Sequence, residues 1–77
     1  MSISLAANRA NWRNALASLA ATWDAHVECI YSVHRDVYCY RVKFRNGVVF
    51  ESTDPNKVFH EASAYALATY KLTGDFP

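Results

Sequence analysis

The segment VYCYRVKF, residues 37–44, alternates without a break. Tyr38, Tyr40, Val42 and Phe44 fall on one side of it, and Cys39, Arg41 and Lys43 on the other. A period of two is the mark of a half-buried strand, and a slip of one residue in its pairing would turn every side chain over. Asn46-Gly47 and the run VVFES follow at once, so the chain is predicted to form a hairpin here. Two closures fit the letters. A two-residue loop at Asn46-Gly47 pairs Arg45 with Val48, sets Phe50 among Arg41, Lys43 and Arg45, and turns Glu51 into the interior. A three-residue loop, RNG with Gly47 left-handed, pairs Phe44 with Val48 and Val42 with Phe50 and puts Glu51 across from Arg41. The first closure buries an unpaired carboxylate, which is costly. The second collects the aromatics inside and adds an opposite-charge pair worth a few tenths to about one kcal/mol. The hydrophobic pattern selects the second.

The flanking segments fix the rest of the order. Trp12, Leu16, Leu19 and Trp23 recur at helical spacing, so a helix with one apolar stripe is expected, capped at Asn8 or Asn11. From Val27 the period changes to two: Val27, Cys29, Tyr31 and Val33 share one face, and Glu28, Ile30 and Ser32 the other, before HRD turns the chain. Asp54-Pro55 marks a second helix start, and Gly74 a left-handed stop. Between them Val58, Ala62, Tyr65, Ala66 and Leu72 form a broad apolar face flanked by Phe59 and Tyr70, with Thr69 on the same stripe. DFP reads as a short tail. The predicted class is α+β, in the order α-β-β-β-α. A three-stranded antiparallel meander carries both helices on one face, and residues 1–77 form a single domain.

Size and charge narrow the function classes. A chain of 77 residues has room for one core, and 52% hydrophobic residues will fold it. A net charge of +1 is too small for binding phosphates by bulk electrostatics. Two cysteines, Cys29 and Cys39, form no CxxC pair and read as free thiols of a reducing cytoplasm. Arg9 and Arg13 interrupt the only stretch resembling a leader, and no uncharged run approaches the ~20 residues of a membrane span.

Catalytic patterns are weak. HRD at His34 to Asp36 matches a kinase triplet in letters only, with no glycine-rich loop or DFG segment beside it. His26 and Cys29 stand three apart on a strand, where side chains point to opposite faces, so no metal or other cofactor is expected. Neither cysteine lies at a helix N-terminus or on a loop that would favour its thiolate. A non-enzyme is expected. Two Trp, five Tyr and four Phe exceed what one small core needs, and tyrosine with arginine is the composition of protein interfaces. The outer face of the sheet, with Cys39, Arg41, Lys43, Val49 and Glu51, has mixed charge and no aromatic platform for stacking bases. On the last helix Ala64, Leu67, Ala68 and Lys71 continue past the main stripe, as an exposed face that could also support a homodimer.

Two resemblances follow from these elements. EASAYALATYKL, with the α-β-β-β-α order, resembles the second helix of the double-stranded-RNA-binding domain, which implies an RNA-binding module using Lys43, Arg45 and Lys57. That family places a lysine cluster at the start of the helix, where this chain reads DPNKVFHEA with Lys57 alone. The ending GVVFESTDPNKVFHEASAYALATYKLTG is similar to that of small phage-encoded α/β proteins, including phage α-β-α sandwich and anti-CRISPR proteins. It implies a non-enzymatic inhibitor of the bacterial host cytoplasm that binds a CRISPR effector complex and blocks it by occlusion. That group shares no functional motif, so the resemblance carries over no site; the expected protein-binding residues come from the predicted fold itself, Arg35 and Asp36 in the turn and Arg41, Lys43 and Glu51 on the sheet face left open by the helices. On the phage-type reading the partner is a host protein complex, nucleic acid is less favoured, no membrane is involved, and the chain is a monomer or homodimer.

Overall fold

The structure is a computed structural model that describes residues 5–77, with side chains from Trp12 onward. Helix α1 spans Leu5–Trp23, strands β1, β2 and β3 span His26–Ser32, Val37–Lys43 and Val49–Ser52, and helix α2 spans Pro55–Thr73. The strands form one antiparallel sheet in the order β1-β2-β3. The α-β-β-β-α fold is the one the periodicities predict.

The bulged hairpin closes as the pattern requires. Phe44 donates its N–H to the Val48 carbonyl at 2.9 Å, and Gly47 donates to the Phe44 carbonyl at 3.0 Å. Gly47 sits at φ +92°, in the left-handed region the loop demands. Val42 then pairs with Phe50 and Arg41 with Glu51. The other hairpin is longer at its turn than HRD alone. Ser32 pairs with Val37, which leaves Val33, His34, Arg35 and Asp36 as the loop, with Asp36 left-handed at φ +54°. Val33 is therefore not the last inward residue of β1; it is a loop residue, 78% exposed.

Both helices follow local chemistry at their described ends. α1 closes where Ala25 donates to the Ala20 carbonyl at 2.8 Å and Asp24 takes φ +56°, a Schellman-type stop with Asp in the usual glycine place. Asn8 and Asn11 lie inside α1, so neither caps it; the helix already runs at Leu5. At the start of α2 Asp54 accepts from the Asn56 N–H at 3.0 Å and Pro55 takes the first turn. Gly74, at φ +75°, donates to the Tyr70 carbonyl at 2.8 Å and ends the helix.

The core lies between the helices and one face of the sheet. Leu16 and Leu19 of α1, Tyr40, Val42 and Phe44 of the β2 segment, and Val58, Ala62 and Ala66 of α2 are buried there. Packing assigns α1 to β1, and α2 to β2 and β3. Two expectations for α2 change. Leu72 is 87% exposed, because it lies past the last turn that reaches the sheet. The DFP ending is no loose tail: Phe76 packs edge-on against Trp23 at 5.3 Å between ring centres and lies 5.8 Å from Tyr70, and Pro77 is buried. Among the described residues no helix is long and apolar enough to cross a membrane.

Candidate functional site

The face of the sheet turned away from the helices is built by the even-numbered residues of β1 and the odd-numbered residues of β2 and β3. The two registers stack them in rows across the strands. His26, Lys43 and Val49 make one row, Glu28, Arg41 and Glu51 the next, and Ile30 and Cys39 the third. The middle row places one guanidinium between two carboxylates. Arg41 Nε lies 2.7 Å from Glu51 Oε2, and Arg41 Nη1 lies 3.4 Å from Glu28 Oε2. His26 Nε2, one row over on the same strand, lies 3.2 Å from the other oxygen of Glu28, so four side chains are linked in one connected series. All are substantially exposed, and such pairs contribute only about 0.2–1 kcal/mol each. What the row provides is orientation. Each long side chain is biased toward its neighbours at the surface before any partner arrives, which lowers part of the ordering cost of binding.

Charge on the face is balanced and fixed. The hydrogen bond and charge of Glu51 together raise the Arg41 pKa, so its guanidinium is permanently positive. Burial first, and the charge of Glu51 next, push the Cys39 thiol up; Arg41 and Arg35 act in the opposite sense. Cys39 thus stays protonated at neutral pH, a poor nucleophile and a small apolar contact. Ile30 and Val49, each 43% exposed, flank the charged row with apolar surface. Lys43 is exposed and makes no ion pair among the described residues.

The sequence-selected residues divide into two groups. Arg41, Lys43 and Glu51 come together on this face. Arg35 stands exposed in the β1–β2 loop, close enough for its charge to act on Cys39. Asp36 is engaged otherwise: it accepts a hydrogen bond from the Tyr31 hydroxyl, on the side of the sheet that faces the helices. The Tyr31 pKa is raised by that bond, with burial and Tyr38 adding to it. Asp36 therefore shapes the loop beneath the face. Glu28 and His26 belong to the site although sequence reasoning did not join them to it. Alternation put Glu28 outside, but only the β1–β2 register sets it opposite Arg41. The residues of the RNA-type reading are spread apart. Lys43 is on the open face, Arg45 reaches Asp24 at 3.2 Å, and Lys57 lies in the first turn of α2, beyond the far end of β3. Among the described residues no group of three or more His, Cys, Asp or Glu converges on a metal position.

Comparison with known proteins adds one finding. Residues 24–67, from the end of α1 through most of α2 and more than half of the chain, match the family model FAINT, described as a domain of unknown function, DUF529. No curated protein and no solved structure matches the chain.

Proposed function

We propose, for a chain that belongs to the FAINT family of domains of unknown function (DUF529), that it is a non-enzymatic protein-binding module whose contact surface is the open face of the sheet. The observation that carries this reading is the cross-strand row Glu28–Arg41–Glu51, joined by ion pairs and flanked by exposed Ile30 and Val49. Pre-oriented charges beside apolar flanks are what a complementary protein surface needs for register and specificity. A face of balanced charge gives no reason to attract a phosphate backbone.

The more specific reading is an inhibitor of phage type that occludes a bacterial CRISPR effector complex in the host cytoplasm. It is supported by the resemblance of the final third of the chain. The two levels separate in one experiment. The chain is immobilised, bacterial lysate is passed over it, and capture is compared for wild type, for Arg41→Glu with Lys43→Glu, and for Leu67→Lys on the outer side of α2. The general reading expects one partner to be lost from the sheet-face variant and kept by the helix variant. Loss from the helix variant alone overturns it. Unchanged CRISPR interference in cells making the chain removes the specific reading and leaves the general one standing. Capture that collapses as salt rises, together with bound nucleic acid, favours the RNA-type module instead.

A further inference from the structure

Among the described residues β1 is an edge strand of seven residues, and apart from the charge of Glu28 it lacks the usual protections along its outer edge. It contains no proline and no lysine, and it pairs with β2 in unbroken register without a bulge. The opposite edge, β3, is only four residues long. The direction of the free backbone groups on β1 follows from the hairpin. Phe44 donates its N–H to the Val48 carbonyl and accepts from the Gly47 N–H, so its backbone groups face β3; alternate residues of β2 therefore turn toward β3 and those between them toward β1. His26, Glu28, Ile30 and Ser32 therefore bond to β2, while Val27, Cys29 and Tyr31 aim their N–H and C=O groups outward, away from the sheet. The same three residues place their side chains on the helix side.

Beside that edge lies a cleft of about 360 Å³ under α1. Leu16, Val27 and Cys29 line it, and Arg13 and Asn14 stand at its rim. A strand added to β1 would pair a residue directly with Cys29, and that residue's side chain would enter this cleft. Arg13 is exposed and makes no ion pair among the described residues, so the rim is cationic.

We infer that the outer edge of β1 is a docking site for an extended segment of another polypeptide, which adds a fourth strand to the sheet. The segment carries an aliphatic side chain opposite Cys29 and a carboxylate at a neighbouring inward position, facing Arg13. A second copy of the chain is the poorer occupant. Paired β1 strands would lie about 4.8 Å apart, whereas the two α1 helices above them need about 8–10 Å; a bare strand meets no such obstacle. This site is separate from the open face and does not depend on it.

The probe is an acetylated, amidated octapeptide alternating threonine with valine, one central valine replaced by aspartate, titrated into the ¹⁵N-labelled chain. The amides of Val27, Cys29 and Tyr31 should shift and gain protection from exchange. Replacing the aspartate by lysine should weaken binding about threefold or more, and a proline at the central paired position should weaken it about tenfold or more. Arg13→Glu should reverse the preference to the lysine peptide. Ala17→Arg, an exposed helix position at the cleft, should block the site in a folded chain, and Lys43→Glu should leave it intact. Shifts confined to the Arg41 and Lys43 rows overturn the inference, as does silence at millimolar peptide. So does edge protection that appears without peptide as the protein concentration rises, since that assigns the edge to a second copy.

Discussion

Gly47 is needed for its backbone and not for its size. Its φ of +92° is one that side-chain-bearing residues rarely adopt, yet a Cβ built there meets nothing within 4 Å. Gly47→Ala should therefore cost about 1–2 kcal/mol through strain alone, and asparagine should recover part of that loss because it tolerates the left-handed region best. Denaturant melts of the three proteins measure it. Cys39 reports the electrostatics of the open face at the same scale. Glu51 raises its pKa and Arg41 lowers it, so the signs for substitution are opposite. In a Cys29→Ser background at fixed, mildly alkaline pH, Glu51→Gln should speed alkylation of Cys39, because the thiolate fraction rises. Arg41→Gln should slow it. Equal rates in both variants would show that the row does not reach the thiol.

At the scale of the element, the second hairpin was legible and the first only partly so. VYCYRVKF and VVFES leave one register in which no carboxylate is buried, and that register is the one found, with Arg41 opposite Glu51. In the first hairpin the alternation of β1 runs on through Val33, although the strand ends at Ser32 and Val33 is an exposed loop residue. No local signal separates an apolar loop residue from a strand end, so the row that joins Glu28 to Arg41 stayed hidden. The row has a measurable consequence. A double-mutant cycle on Arg41 and Glu51 should give a coupling of about 0.5–1 kcal/mol that shrinks as salt is added. The exchanged pair, Arg41→Glu with Glu51→Arg, should retain part of it. The second helix shows both outcomes. Asp54, Pro55 and Gly74 signal its ends through capping chemistry and were readable, while the exposure of Leu72 depends on where the sheet stops.

Across the whole molecule, the apolar stripes of the helices predicted the core, but contacts between distant segments were not in the pattern. Nothing in DFP says that Phe76 returns to Trp23 and Tyr70, because that contact joins the end of the chain to the end of α1. Removal of Phe76 and Pro77 should cost about 1–2 kcal/mol by the apolar area uncovered and the lost ring pair. It should also shift tryptophan emission to the red as Trp23 meets water, and an unchanged melting temperature would contradict this. The proposed binding face depends on a single feature of the sheet, the register that collects aromatics on one side and leaves charge on the other. Cross-strand Hα–Hα NOEs measure it directly. The register found here predicts strong contacts from Arg41 to Glu51 and from Lys43 to Val49, the closely spaced pairs that exchange no backbone bonds. A contact pattern that pairs Arg45 with Val48 would turn Glu51 inward and Phe50 out among the basic residues, and the open face described here would not exist.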